Sequence, residues 1–298
     1  MKTINKGFTH IMKTIGIIGF GFVGRAIAHG FSLYSRVKVY DKYDNIYDSI
    51  EDTVNCSDFI FVSVPTPMND DGSQNLSNLE DAIVSIEKVR KGNKIVIIKS
   101  TIIPGTTRKL AERFTNLSFV FSPEFLTQRT ADLDFINPSR IILGGQKEVV
   151  DQVEEFHRGR FTCVPIFKTT WEGAELVKYM NNCFFATKIA FCNEFYDMAE
   201  AVGVPYTELR DMWLADGRIA NSHTDVPGHD GCRGYGGKCY KKDINALIAW
   251  AKTKGLEATT CEAAEIVNER VREKKDWEEI VGALSSNNYD KKERKNGS

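Results

Sequence analysis

Apolar residues fall along this chain in two rhythms. Up to about residue 145, short apolar runs of strand length recur at Ile15–Ile18, Val37–Tyr40, Phe59–Val64, Ile95–Ile98, Phe119–Phe121 and Arg140–Leu143. Between several of them the spacing becomes helical, as at Ala26, Ile27 and Phe31 and over 77–90 and 105–114. Repeated strand–helix units predict a parallel sheet covered on both faces. From about Thr170 the rhythm is helical alone. Ala174, Val177, Met180, Phe184, Phe185, Ile189, Phe195 and Met198 hold it to Val202 with no proline. That stretch would span roughly 48 Å, longer than an ordinary globular helix, and predicts a spine between two lobes or a dimer interface. Helices over 206–215, 240–253 and 259–282 complete a second, helical lobe.

Composition narrows the class without changing this picture. The chain has 298 residues, 42% hydrophobic and 27% charged, which suits a soluble protein of one large or two ordinary domains. A net charge of −1 gives no reason to expect nucleic acid or an anionic membrane as partner. No apolar run approaches membrane-spanning length, and the basic segment Met1–Met12 lacks an apolar signal core. The seven cysteines are odd in number, irregularly spaced and without a CxxC pair. Reduced thiols in a cytoplasmic setting are expected, with neither a disulfide framework nor a metal site. Residues 1–12 and 283–298 are expected to be flexible ends.

The first candidate chemistry follows the first strand. Gly19-Phe20-Gly21-Phe22-Val23-Gly24 opens a helical pattern, and Asp41 ends the next strand 22 residues after Gly19. The glycines serve a tight turn and close approach to a pyrophosphate, and the acid serves the adenosine ribose hydroxyls. An acid there repels a 2′-phosphate, so NAD is the expected cofactor rather than NADP. Pro65-Thr66 and Ser100-Thr101 end the third and fourth strands, where an open parallel sheet places ligands. Thr66 and Thr101 therefore face cofactor or substrate, or else cap the helices that follow.

The second candidate is Gly234-Tyr235-Gly236-Gly237-Lys238-Cys239-Tyr240-Lys241-Lys242-Asp243, a glycine loop that delivers a cysteine to the start of a helix. A helix N-terminus and the ammonium of Lys242 would favour a nucleophilic thiolate. Taken alone, the segment equally suits a small buried thiol after an ordinary loop. Lys178 and Asn182 lie four apart and share a face of the long helix, as a functional pair or as solvated surface groups.

Taken in order, these segments resemble the UDP-glucose/GDP-mannose 6-dehydrogenase family, from about Lys13 to Lys275. The glycine fingerprint with Asp41, Val64-Pro65-Thr66-Pro67, Ser100-Thr101, Ser122-Pro123-Glu124-Phe125-Leu126, Lys178 with Asn182, and the cysteine segment carry the likeness. The resemblance implies an N-terminal Rossmann-like doubly wound parallel sheet, 13–168, that binds NAD. An all-helical lobe on a long central helix, 169–282, would carry the catalytic cysteine. It also implies a nucleotide-sugar substrate, a homodimer, and two successive hydride transfers that convert a primary alcohol to a uronic acid.

In that scheme Cys239 forms a thiohemiacetal and then a thioester, and Lys178 and Asn182 stabilise oxyanions. Glu124 activates the hydrolytic water, with Thr101 and Asp243 positioning it. Lys242 would lie beside the nicotinamide, Arg218 would reach the partner subunit's sugar site, and the loop around Gly234, Tyr235 and Gly236 would lie along the substrate with Phe125 and Leu126. Gln128 stands where the family usually has glutamate, keeping a hydrogen bond without the charge. Lys241, where proline or glutamine is usual, would add positive charge near Cys239. The family usually continues into a further α/β domain, whereas here only Asp276–Ser298 follow the likeness. β-Hydroxyacid dehydrogenases share Lys178-Tyr179-Met180-Asn181-Asn182 but use no cysteine; that two-electron reading and a non-catalytic NAD- or sugar-binding module are the alternatives.

Overall fold

A computed structural model describes residues 12–286, and within them the strand and helix rhythms fold as two compact units. The first unit holds β1 (Thr14–Ile18), α1 (Phe22–Phe31), β2 (Arg36–Tyr40), α2 (Ile50–Asn55) and β3 (Phe59–Val62). It continues through most of α3 (Ser77–Val89), then β4 (Lys94–Ile98), α4 (Thr106–Arg113), β5 (Leu117–Phe121), α5 (Ala131–Ile136), β6 (Ile141–Gly145), α6 (Lys147–Arg158) and β7 (Ile166–Thr169). The strands form one seven-stranded sheet in the order β2-β1-β3-β4-β5-β6-β7. Strand order reverses at β1, so the glycine loop leaving β1 lies at the switch point where such sheets bind ligands.

One pairing departs from the all-parallel expectation: β5 and β6 run antiparallel through Val120↔Gly145 and Phe121↔Gly144. The link between them contains only the six-residue α5, too short a helix to lie across the sheet as a parallel crossover. It packs on α1 instead, where a Cβ at Gly30 would stand 2.2 Å from the Phe135 ring. The core of this unit joins Ile15, Ile17, Phe61 and Ile97 of the sheet to Ala26, Ile27 and Phe31 of α1 and Val150 and Val153 of α6. Phe31 stacks on Phe156 with ring centroids 4.9 Å apart, and the buried His157 ring lies against both. Burial pushes the His157 imidazole down to about 4. The imidazole is therefore neutral near pH 7 and bonds Val153 O through Nδ1 at 2.8 Å.

The second unit is built on α7 (Trp171–Val202), which enters it at Glu175, with α8 (Tyr206–Leu214), α9 (Tyr240–Thr253) and α10 (Thr259–Val271). Its core sets Tyr179, Cys183, Ala186 and Ala190 of α7 against Ile244, Ala246 and Ile248 of α9 and Ala264, Val267 and Val271 of α10. Two pieces of the first half of the sequence also belong to it, Pro65–Leu79 and Thr101–Thr106, so no single cut separates the units. Hydrogen bonds explain the exchange. The Gln74 amide donates to Thr101 O at 2.7 Å and accepts from Ile103 N at 3.0 Å, while Gly105 N donates to the buried Glu175 carboxylate at 2.6 Å.

Two further expectations are corrected. The last helix ends at Val271 rather than at 282, because Arg272 turns to extended backbone and buries its guanidinium between carboxylates. Ala283–Ser285, read from sequence as the start of a flexible end, are bonded to Met68; residues 1–11 and 287–298 lie outside the described residues.

Candidate active site

In the first unit, the glycine loop is shaped both by the protein and for something else. A Cβ at Gly24 would meet Gly19 O at 2.3 Å and one at Gly19 would meet Ser63 O at 2.7 Å, so these glycines are required by the turn itself. A Cβ at Gly21 would meet nothing within 4 Å. Gly21 is the N-cap of α1, and no side chain caps that helix or places an acid in its first turn. An uncapped helix N-terminus over open space fits a pyrophosphate. Asp41 is buried at the end of β2, where it accepts from Phe20 N at 2.8 Å and Tyr43 N at 3.0 Å. The carboxylate expected to meet the ribose therefore also ties down the glycine loop. Phe22 and Val23 form the first turn of α1.

The segment Ser122-Pro123-Glu124 leaves the end of β5 in the same unit. Buried Lys99, at the end of β4, donates to Ser122 Oγ and Pro123 O, both at 3.2 Å. Glu124 accepts from Leu126 N at 2.7 Å, and Arg140 lies over the Phe125 ring at 4.0 Å. Gln128 is exposed. Sequence reasoning missed Lys99 as the group that fixes this loop. An isolated lysine after an apolar strand was the available signal, since a buried ammonium needs acceptors.

In the second unit, Cys239 is exposed and forms the N-cap of α9, with Asp243 in the first turn. Lys178 and Asn182 are both 5% exposed on α7, which excludes the solvated-surface reading. Asn182 donates through Nδ2 to Asp243 Oδ2 at 2.6 Å, and Lys242 pairs with the other Asp243 oxygen. Three of the predicted residues thus share one buried polar cluster a single helical turn from the thiol. Thr66 donates to Thr101 O at 2.8 Å, which locks the Pro65–Thr66 turn to the Thr101 segment. Arg218 is exposed and paired with Asp216 at 2.5 Å, bonded to neither Cys239 nor Asn182.

Lys241 departs from expectation. Its ammonium is held by Glu265 and Glu269 of α10, which neutralise the extra charge expected near the thiol. Tyr235 is buried; its hydroxyl donates to Glu265 at 2.7 Å, and burial together with that carboxylate raises the phenol above its ordinary range. His223 was not anticipated. It adopts a left-handed φ of 65°, stacks on Phe185 at 4.0 Å and meets Tyr240 Oη through Nε2 at 2.7 Å.

Comparisons with known proteins bear on the family. The sequence pattern described as UDP-glucose/GDP-mannose dehydrogenase family, NAD binding domain, matches residues 32–158, and the central domain of the same family matches 172–270. A UDP-glucose 6-dehydrogenase, AglM, of Haloferax volcanii is 32% identical over 75% of this chain and 54% of its own length. A solved UDP-glucose dehydrogenase of Pyrobaculum islandicum aligns with a TM-score of 0.78 at 29% identity, over 90% of this chain and 70% of that one. A 3-hydroxyisobutyrate dehydrogenase of Mycobacterium tuberculosis shares the fold, with a TM-score of 0.70 at 15% identity over 87% and 94% of the two chains. The chain spans about half the length, or less, of the curated relatives it matches.

Proposed function

The chain belongs to the UDP-glucose/GDP-mannose dehydrogenase family, and from that premise we propose that it oxidises a nucleotide-sugar primary alcohol to the uronic acid through a covalent intermediate on Cys239. The observation that carries this reading is the start of α9. There an exposed thiol at a helix N-terminus adjoins a buried Asn182–Asp243–Lys242 cluster. The helix dipole favours the thiolate.

Two molecules of NAD supply the hydride acceptors. Per turnover one water is consumed, four electrons leave as two hydrides, and three protons are released. The Cys239 sulfur adds to the aldehyde carbon as a thiohemiacetal; loss of hydride gives a thioester, and water displaces the thiol. Lys178 and the Asn182 amide, held by Asp243, are assigned to the developing oxyanions. Glu124 is assigned as base for the hydrolytic water, with Thr101 and Asp243 orienting it. Gly19–Gly24, Asp41, Pro65, Thr66, Gln128 and Lys242 are assigned to the cofactor, and Phe125, Leu126 and the Gly234–Gly236 loop to the substrate.

The working form is a homodimer. Met180, Phe184, Phe191, Phe195, Met198 and Val202 are each at least 40% exposed along α7, at spacings of three, four and seven that keep them to one stripe. Exposed Arg218 would complete the partner's sugar site. All seven cysteines are free thiols, which suits a reducing compartment such as the cytoplasm.

The test is a stoichiometry. Against UDP-glucose, UDP-N-acetyl sugars and GDP-mannose, about two NADH should form per sugar with a carboxylate product. Cys239→Ser should lower kcat by at least about a thousandfold. About one NADH per sugar would replace this reading with the two-electron one, and NAD binding without turnover across the panel would reduce the chain to a binding module.

A further inference from the structure

Beyond α10 the chain turns back onto the loop that delivers Cys239. The turn is made at Arg272, whose side chain is 1% exposed. Its Nη1 donates to Asp230 Oδ2 at 2.7 Å, Nε donates to Lys274 O at 2.8 Å, and Nη2 pairs with Asp276 Oδ1 at 3.1 Å. Through Oδ2, Asp276 accepts from Gly237 N at 3.0 Å, so one carboxylate joins the guanidinium to an amide two residues before Cys239. One turn earlier, Asn268 accepts from Tyr235 N at 2.7 Å.

The fit is close enough to explain two glycines of the loop. A Cβ at Gly236 would stand 2.1 Å from Arg272 Nη2 and 2.5 Å from Asp276 Oδ1, and one at Gly234 would stand 2.4 Å from Asn268 Oδ1. These glycines make room for the protein's own side chains, whereas the family resemblance implied only that the loop lies along the substrate.

The same segment continues to a second loop. Trp277 is buried under the Lys241 ammonium, 5.0 Å from ring centroid to Nζ. Met68 N then donates to Ala283 O at 2.9 Å, Ser285 N to Met68 O at 2.8 Å, and Ser285 Oγ to Asn69 Oδ1 at 2.7 Å. Arg272–Ser285 therefore grips both the loop before Cys239 and the turn after Pro65-Thr66. The central-domain match ends at residue 270, so this grip lies outside the matched pattern. A guanidinium buried against partly exposed carboxylates is weak evidence for net stability, because desolvation offsets the attraction, so the interest of these pairs is the arrangement they hold.

We propose that Arg272–Ser285 is a positioning strap, in which Arg272 and Asp276 hold the 230–238 loop so that Cys239 stays at the N-terminus of α9. The reading above enters only in naming Cys239 as the reacting atom; the test reads the thiol directly and stands if the dehydrogenase assignment falls.

Peptide-level mass spectrometry would follow iodoacetamide alkylation of Cys239 near neutral pH, with exposed Cys163 of the first unit as internal reference. Asp276→Ala should slow alkylation of Cys239 relative to Cys163 by about threefold, as the thiolate loses its place at the helix end. Asp276→Asn keeps an acceptor for Gly237 N and should stay near the wild-type ratio. An unchanged ratio in folded Asp276→Ala overturns the proposal. Should that variant not fold, hydrogen exchange of the wild-type protein in mild denaturant decides. Segments 230–238, 66–75 and 276–286 should open together, and separate opening of 230–238 overturns the strap.

Discussion

Gly21 and Gly24 are indistinguishable as letters in the fingerprint, yet they answer different demands. A methyl at residue 24 collides with Gly19 O, while a methyl at residue 21 projects into open space. Gly21→Ala at φ −71° should leave the melting temperature nearly unchanged, because the lost cap preference and the gained chain stiffness each amount to less than about 1 kcal/mol and oppose each other. The same variant should weaken NAD binding at least tenfold by calorimetric titration, about 1.4 kcal/mol. Gly24→Ala should lower the melting temperature clearly. Equal effects of the two variants on stability would contradict the open space at residue 21, and unchanged NAD affinity of Gly21→Ala would mean that this space is not a phosphate cradle. The spacing of the glycines was legible in the chain; the neighbour that each one spares was not.

Helix α6 shows what periodicity reveals and what it conceals. Its apolar positions announce a buried face, but nothing in the spacing says that His157 sits among Phe31, Phe156 and Phe161 as a neutral ring. Its folded value of about 4 lies below the ordinary 6.5, so between those limits the unfolded chain takes up a proton that the folded one refuses. The stabilisation is complete above pH 6.5 and is lost as pH falls toward 4, amounting to about 3 kcal/mol at the acid end. Urea midpoints at pH 7 and 4.5 should therefore fall further for wild type than for His157→Gln. Parallel losses would show that the imidazole does not resist protonation. Helix α10 carries the converse lesson. Asn268 and Arg272 stand four apart beside Ala264, Val267 and Val271, and polar groups on an apolar stripe were the readable sign of a buried polar contact. Where the helix stopped depended on Asp230 and Asp276, one of them far off in sequence.

For the proposed dimer, the exposed stripe of α7 makes a quantitative demand. Light scattering should give twice the chain mass, and Phe184→Glu combined with Phe191→Glu should halve it with little change in monomer unfolding. A monomeric wild-type protein would sink the dimer. Sequence spacing supplied the length of α7 and the strand–helix alternation, and the family resemblance supplied the residues clustered at Asn182 and Asp243, because each is a local or motif-borne signal. The division into units escaped it, since Gln74 meets Thr101, and Gly105 meets Glu175, only through long-range hydrogen bonds. That interleaving also sets an order of assembly. The first unit has all its pieces once Ala174 is synthesised, whereas Ser285 reaches Met68 and Asn69 across 217 and 216 residues. Closing so long a loop is entropically costly and slow, so on the ribosome Pro65–Leu79 and Thr101–Thr106 must wait for partners not yet made. During that interval the nascent chain carries a finished nucleotide fold and an unfinished second unit, and a chaperone that shields those two segments would act on this protein at its most vulnerable moment.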